Sequence, residues 1–245
     1  MNLSFRVRAL PLLACAAFAA FTSVAFAAAS ASADTPTKKV LYEDGQTDRY
    51  LMDGQWSFRK DDAGVGLRQG FQRAKSNSGW TPVSVPNAWN ANDDTEASMR
   101  GGVGWYKKDF SLPSSDKNAT WVIRFESVNY RARVWLNGTP VGSNAGAYLP
   151  FEVTLRNFKR TGANHLVVRV DSRRRGDDLP PQSISKTGSP GGGWWNYGGI
   201  LREVYLRKID RVGFENVAVQ PKISCKTCTA NIGVSVTMRN YTGQA

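Results

Sequence analysis

Residues that could act as acids, bases or nucleophiles are few and scattered in this sequence of 245 residues. His165 is the only histidine, and the sequence contains no G-x-S-x-G elbow, so a serine triad is not predicted. Glu126 and Glu152 fall on outward positions of strand-like segments, which predicts solvated surface rather than a catalytic pair. Gly64 and Gly66 lack the G-x-G-x-x-G spacing of a phosphate-binding loop. We therefore predict no catalytic residue, no metal site and no cofactor in this chain.

The segments that must position these side chains show the two-residue period of β-strands. In residues 121–126 and 131–136, two runs of apolar residues alternate with the residues between them, as expected for strands with one buried face. The pair Asn137-Gly138 follows, and it tolerates the positive φ angles of a two-residue hairpin. Further alternating runs occupy residues 104–112, 151–155, 164–170 and 200–207. Short strands without a helical period predict an all-β fold, a jelly-roll β-sandwich.

Two segments between the predicted strands have the composition of loops. Residues 59–79 are rich in glycine, lysine, arginine and serine, which predicts a mobile loop. Residues 87–99 lack a period and contain asparagine, aspartate and Trp89. Because binding residues concentrate on loops held by a rigid scaffold, we expect a functional or lid-like loop there.

Residues 1–33 differ in composition from the rest of the chain. Arg6 and Arg8 precede an almost wholly apolar, alanine-rich run, and Ala-Ser-Ala at positions 31–33 ends it. This layout is typical of a cleaved secretory signal peptide. A membrane anchor and a lipoprotein cleavage box at Cys15 are the alternatives. We expect export to a secreted or periplasmic location, with no membrane association after signal cleavage.

The chain is basic, with a formal net charge of +12 that falls to +10 when the two signal-peptide arginines are removed. Apart from Arg173, Arg174 and Arg175, the positive residues are scattered among the predicted strands, and no nucleic-acid-binding module is recognisable. We interpret the charge as a solvated basic surface and predict no nucleic-acid partner.

The mature sequence retains two cysteines, Cys225 and Cys228, in a C-x-x-C arrangement. This spacing fits a redox dithiol or a local structural disulfide, and an exported chain with strand-like runs on both sides favours the disulfide. The flanking runs, residues 212–221 and 232–238, predict strands of a second sandwich. Because a sandwich needs roughly 100 residues, we expect residues 209–245 to be the start of a truncated domain, after a first domain at residues 34–208.

Six segments carry a resemblance to a known family. They are LMDGQWSF at 51–58, WTPVSVPNAWN at 80–90, GVGWYKKDFSLP at 102–113, WLNGTPVGSNAGAYLPFEVTL at 135–155, GANHLVVRVD at 162–171 and GGGWWNYGGILREVYL at 191–206. In this order they resemble the N-terminal sugar-binding domain of glycoside hydrolase family 2, the β-galactosidase and β-glucuronidase group. The resemblance implies a galactose-binding-like jelly roll, and the segment from NVAVQPKI onward resembles the start of that family's immunoglobulin-like second domain.

The resemblance also implies where hydrolysis takes place. In that family a later (β/α)₈ barrel carries two glutamates, an acid/base and a nucleophile, in a retaining mechanism. No part of this chain resembles that barrel, so the expected partners are a carbohydrate and either a missing C-terminal catalytic region or a complementing chain.

Substrate-binding residues are implied in two loops. The segment that ends at Tyr197 reaches toward the sugar in family members, and an acidic residue often stands at the position of Gly193, which offers no acceptor here. Trp194, Trp195 and Tyr197 have faces that suit stacking on a pyranose, or they close the edge of the sandwich. With these three residues, Asn90 and Asn196 complete the predicted substrate-binding set.

Three hypotheses follow from the sequence. The first is the N-terminal part of an exported family 2 glycosidase, which helps shape the substrate pocket and does not hydrolyse glycosides by itself. The second is a self-contained exported carbohydrate-binding module. The third is the product of a truncated or split gene that complements a partner chain.

Overall fold

Alternating apolar residues form short antiparallel strands throughout the part of the chain that the computed structural model describes, residues 37–38, 48–112, 119–181 and 194–242. The predicted signal peptide, residues 1–33, lies outside the described residues, as does Gly193. Within the described residues, no helix combines the length and the apolar character needed to cross a membrane.

The described residues form sixteen strands and one short α-helix, numbered in chain order. The first half comprises β1 (Thr37–Lys38), β2 (Arg49–Leu51), β3 (Gly54–Lys60), β4 (Thr81–Val85), β5 (Asn87–Ala88), α1 (Glu96–Arg100), β6 (Val103–Phe110), β7 (Thr120–Phe125) and β8 (Val128–Asn129). The second half comprises β9 (Arg131–Leu136), β10 (Thr139–Ala145), β11 (Phe151–Thr154), β12 (Asn164–Asp171), β13 (Gly199–Ile200), β14 (Val204–Ile209), β15 (Val212–Lys222) and β16 (Asn231–Asn240).

Two antiparallel sheets form the sandwich. One has the strand order β1-β2-β14-β7-β11 and the other β10-β9-β12-β6-β3-β4. The alternation predicted from the sequence places Trp121, Ile123 and Phe125 of β7 in the core, where they pack with residues of the facing sheet such as Tyr106 and Val168. The predicted all-β sandwich is confirmed.

The six-stranded sheet carries a second apolar layer on its outer face. Trp105 of β6 and Trp135 of β9 stack there with ring centroids 5.5 Å apart. Trp80 and Phe71 cover them, and Phe71, which is only 6% exposed, lies in the segment that the sequence predicts as a mobile loop. The prediction for residues 59–79 is therefore wrong over much of its length. These residues contain a 3₁₀ turn at Phe71–Arg73 that closes over the sheet.

Two further expectations need correction. The loop at residues 87–99 contains β5, an edge strand of the small sheet β5-β13-β8, and most of the helix α1. The first turn of α1 is capped by the Thr95 hydroxyl, which accepts from the Ser98 amide at 3.2 Å. The closing strand predicted at residues 200–207 is interrupted between β13 and β14, so Arg202 lies exposed in a bend rather than on a strand.

The last described segment is a separate two-stranded ribbon of β15 and β16. Apolar and polar residues alternate along its strands as predicted. The apolar side chains are nevertheless exposed, for example Val219 at 58% and Val234 at 60%. At the tip of the ribbon a disulfide joins Cys225 and Cys228. The ribbon supplies two strands, and in the described residues no facing layer covers them.

Candidate functional site

The loops at one end of the sandwich are held together by a fully buried asparagine. The Asn196 side chain donates hydrogen bonds to the carbonyls of Met99 at 3.0 Å and Ser172 at 2.9 Å. Its oxygen accepts a hydrogen bond from Asn129 Nδ2 at 2.9 Å. One side chain therefore ties the end of α1, the end of β12 and β8 to the segment before β13.

Asn90 extends this network to the β4–β5 side. Its Nδ2 donates to the Ser98 hydroxyl at 2.9 Å and to the Asn196 carbonyl at 3.0 Å, while its Oδ1 accepts from the Gly198 amide at 2.9 Å. Asn90 is 5% exposed and Asn196 has no exposed surface. Both amide groups bind protein atoms, and direct contact of these two residues with sugar stays a prediction. In this structure they position the loop.

Close packing explains the glycines that follow Tyr197. A Cβ atom added to Gly198 would lie 2.2 Å from the Trp89 ring, and one added to Gly199 would lie 2.1 Å from the Asn87 carbonyl oxygen. Gly199 also has a φ of 145°, a conformation that side-chain-bearing residues rarely adopt. The loop before β13 therefore passes so close to the β5 segment that only glycine fits.

This scaffold supports a shallow depression, here called the rim depression, with a cavity volume of about 460 Å³. It is lined by Ala91, Asn92, Asp93, Asp94, Trp195 and Tyr197. Tyr197 is 39% exposed, and Trp195 is half-buried. The depression therefore combines two aromatic faces with two carboxyl groups, an arrangement suited to the apolar face and the hydroxyl groups of a sugar.

Trp194 has a different environment from its neighbour. Its ring lies against the guanidinium of Arg174, 4.9 Å from ring centroid to Cζ, and the same guanidinium lies over the Tyr130 ring at 4.8 Å. Trp194 does not line the rim depression. Trp194 thus packs against Arg174, whereas Trp195 and Tyr197 line the rim depression, and sugar stacking by any of the three stays a prediction.

Asp93 and Asp94 are site candidates that the sequence reasoning missed. Asp93 Oδ1 accepts hydrogen bonds from the Thr95 hydroxyl at 2.7 Å and the Thr95 amide at 3.1 Å, and these bonds lower the pKa of its carboxyl group. The group is therefore ionised at neutral pH. The signal that could have identified them is the pair of adjacent aspartates in a loop already predicted to be functional.

The carboxylates of Glu126 and Glu152 lie on the outer face of the five-stranded sheet, where both bind the guanidinium of Arg124. Glu126 also accepts from the Tyr205 hydroxyl at 2.6 Å. Burial tends to raise the pKa of Glu126, but the hydrogen bonds from Arg124 and Tyr205 outweigh it and the pKa is lowered. The predicted solvated surface is thus a half-buried ion network. A lowered pKa is the opposite of what a glycosidase general acid requires.

Metal ligands are not clustered in the part of the chain that the structure describes. No group of three or more histidine, cysteine, aspartate or glutamate residues there has an arrangement that could hold a metal ion.

Two antiparallel sheets, with a loop-built depression at one end, define a β-sandwich domain. The sequence model of the family described as "Glycosyl hydrolases family 2, sugar binding domain" matches residues 50–210. This chain therefore belongs to that family, as its sequence segments predict.

Similar proteins have names within the same group. The chain is 29% identical to a β-glucuronidase of Canis lupus familiaris over 202 residues, which covers 72% of this chain and 31% of that protein. It is 23% identical to the β-galactosidase BoGH2A of Bacteroides ovatus over 210 residues, covering 80% of this chain and 23% of the other. A solved structure of an uncultured Clostridium sp. β-glucuronidase matches with a TM-score of 0.64 and 25% identity, over 78% of this chain and 33% of that chain. The chain thus spans about a quarter to a third of the length of these relatives.

Proposed function

We propose that this chain is the N-terminal sugar-binding part of an exported family 2 glycoside hydrolase that acts on O-glycosyl bonds in the manner of β-glucuronidases and β-galactosidases. Its hydrolytic carboxyl pair lies in sequence beyond these 245 residues. Residues 209–245 begin an immunoglobulin-like domain that links the sugar-binding domain to the catalytic region. Membership in the family supports this proposal. So does the fact that the chain matches less than a third of the length of these two relatives.

The observation that carries the proposal is the composition of the rim depression. Trp195 and Tyr197 offer aromatic faces to the C–H groups of a pyranose, and such rings supply large contact areas at low conformational cost. Asp93 and Asp94 offer acceptors for sugar hydroxyl groups, and an ionised acceptor makes the stronger hydrogen bond. Gly193 has no acceptor side chain, so these two aspartates supply the acidic groups of the sugar contact.

The buried asparagines give this surface its shape. Because Asn90 and Asn196 fix the two loops to each other, the aromatic and acidic residues meet a sugar with little ordering of the backbone. The role of the domain is thus to form one wall of a substrate pocket, while hydrolysis belongs to the catalytic region.

Sugar binding by the purified chain tests this role. We expect isothermal titration with methyl β-glucuronide, methyl β-galactoside and short β-linked oligosaccharides to detect binding of at least one of them. Trp195→Ala should weaken that binding about tenfold, about 1.4 kcal/mol. Phe214→Ala, which removes a 56% exposed aromatic side chain from β15, is the matched control and should leave it unchanged. Equal sugar affinities of the wild type and Trp195→Ala would show that the rim depression does not contact the sugar.

Hydrolysis separates the proposal from its rivals. We expect no turnover of nitrophenyl β-glycosides by this polypeptide alone, and turnover that follows the active protein fraction through purification would refute that. A downstream reading frame that encodes a barrel with two catalytic glutamates supports the glycosidase, whereas its absence together with retained sugar binding favours a stand-alone binding module.

The N-terminal sequence of the protein recovered outside the cytoplasm tests export, and we expect it to begin at or near Asp34.

A further inference from the structure

A second depression, here called the basic pocket, lies at the opposite end of β12 from the rim depression. It has a cavity volume of about 370 Å³, and its lining includes Arg73, Lys75, Asn137, Lys159 and His165. His165 stands near the start of β12, whereas Ser172, which binds Asn196, follows its end. Seven residues of extended chain separate the two, a distance of about 23 Å. The two depressions are therefore distinct sites.

The charged side chains that line the basic pocket all carry positive charge. Arg73, Lys75 and Lys159 are exposed, and none of them pairs with a carboxylate among the residues that the structure describes. One lining residue contacts an acidic group, since Asp109 Oδ1 lies 2.7 Å from His165 Nδ1. This contact fixes the orientation of the imidazole. The pocket thus offers cations without their counter-charge.

Buried polar residues hold the chain segments that carry these cations. Asn164, which has no exposed surface, accepts from the Lys159 amide at 2.7 Å and donates to the Lys159 carbonyl at 2.9 Å. Its oxygen also accepts from Asn137 Nδ2 at 3.1 Å. Lys159 and the Asn137-Gly138 turn are therefore fixed to each other and to β12.

A buried lysine performs the same task for the other side of the pocket. Lys107 Nζ donates to the Ser76 carbonyl at 2.8 Å and approaches the Lys75 carbonyl at 3.4 Å. Lys107 is only 2% exposed, and burial lowers its pKa. Lys107 thus holds the backbone of Lys75 in place, while the Lys75 side chain stays exposed. Both lysines that face the pocket project from fixed positions.

We propose that the basic pocket binds an anionic substituent, a carboxylate or a sulfate, of an acidic oligosaccharide, at a second site separate from the rim depression. Convergent lysine and arginine groups favour an anion held by charge-assisted hydrogen bonds. The lining contains no phenylalanine, tyrosine or tryptophan ring on which nucleic-acid bases could stack. The choice of a saccharide rests on membership in the sugar-binding family and not on the function proposed for the rim depression.

Titration of the purified chain with three oligosaccharides of equal length tests the proposal. The probes are an oligogalacturonate, which carries carboxylates, a carrageenan oligosaccharide, which carries sulfates, and a neutral β-galactan oligosaccharide. We expect one of the acidic probes to bind at least tenfold more tightly than the neutral one, and the tighter of the two identifies the anion. The double variant Lys75→Gln/Lys159→Gln should lose about tenfold or more of that affinity, because each lysine supplies a charge-assisted hydrogen bond.

A matched control keeps the result specific. Lys222→Gln/Lys226→Gln removes the same charge from exposed positions of the β15–β16 ribbon and should leave affinity unchanged. An equal loss in the ribbon variant would reduce the effect to net charge and overturn the proposal. Failure of both acidic probes to bind, or equally tight binding of a single-stranded DNA oligomer of the same charge, would overturn it as well.

Discussion

The two ends of the sandwich use the same structural device for different chemistry. At the rim end, the buried amides of Asn90 and Asn196 hold loops that present aromatic rings and carboxylates. At the basic end, the buried amide of Asn164 and the half-buried amide of Asn137 hold the loop that presents Lys159 to the basic pocket. Each end thus combines a buried polar network with an exposed recognition surface.

This difference shows how the fold separates scaffold from specificity. An asparagine side chain has two donors and two acceptor lone pairs, so one buried residue can bind backbone groups of several loops at once. The exposed residues on those loops are then free to differ. We therefore expect the buried asparagines to control stability and the exposed residues to control binding.

The largest effect is expected from Asn196→Ala. The substitution leaves the carbonyls of Met99 and Ser172 and the Asn129 amide without their buried partner, and each unsatisfied group costs about 1–3 kcal/mol. We expect the free energy of unfolding to fall by about 3 kcal/mol in urea denaturation. The exposed Asn92→Ala in the same loop should change it by less than about 0.5 kcal/mol. Equal effects of the two variants would break the division between scaffold and surface.

Asn164→Ala should destabilise the protein by about 2 kcal/mol, because it releases both backbone groups of Lys159 and the Asn137 amide. The network at this end lies far from the one at the rim. The double variant Asn164→Ala/Asn196→Ala should therefore lose the sum of the single effects within about 0.5 kcal/mol. A larger coupling energy, measured by the same urea denaturation, would show that the two ends act as one unit.

Ionic strength should distinguish the two surfaces without any substitution. Raising the salt concentration from about 50 to 200 mM shortens the screening length and should weaken binding of an acidic oligosaccharide at the basic pocket several-fold. Binding of a neutral sugar at the rim depression should stay constant, because stacking and hydrogen bonds to a neutral ligand carry little long-range charge. Titrations at both salt concentrations check this, and an equal response of both ligands would contradict the separation.

The smallest effect concerns the Asp93 carboxylate. Hydrogen bonds from Thr95 lower its pKa below the ordinary value of 3.8, so the ionised group favours the folded loop above that value. This contribution is lost as the pH falls through the lowered pKa. Sugar affinity at the rim should therefore stay constant from pH 7 to about pH 4 and fall only below it. Asp93→Asn should abolish that acid-side fall, and an unchanged pH profile in the variant would exclude Asp93 from the contact.

Much of the fold was predictable because the strands have a strict two-residue period. The alternation in β7, β9 and β12 placed the residues of the core between the two sheets correctly. Trp135 and Val167, on the opposite face of their strands, are buried in the second apolar layer. The Asn137-Gly138 turn has the positive φ angles that its sequence predicts, 52° and 82°. The five-residue helix α1 was missed, since it is too short to show a helical period. The burial of Phe71 was missed because a single aromatic residue in a glycine- and lysine-rich stretch has no period.

The candidate site was less predictable, since burial of a polar residue depends on partners distant in sequence. Asn196 binds Met99, which lies 97 residues away, and Asn90 binds Asn196 across 106 residues. An asparagine in a loop segment predicts exposure, and only the packed loops reveal that both asparagines are internal. The different environments of the three aromatic residues were unpredictable for the same reason. Arg174 packs against Trp194, whereas Trp195 and Tyr197 line the rim depression.

The central claim, that the rim depression is the surface that meets sugar, is tested most directly by nuclear magnetic resonance of the tryptophan indole groups. The signal of Trp195, assigned through Trp195→Phe, should shift progressively and saturate during titration with a β-glycoside that binds the chain. The signal of the core residue Trp121, which has no exposed surface, should stay in place. Saturable binding that leaves the Trp195 signal unmoved would contradict the account.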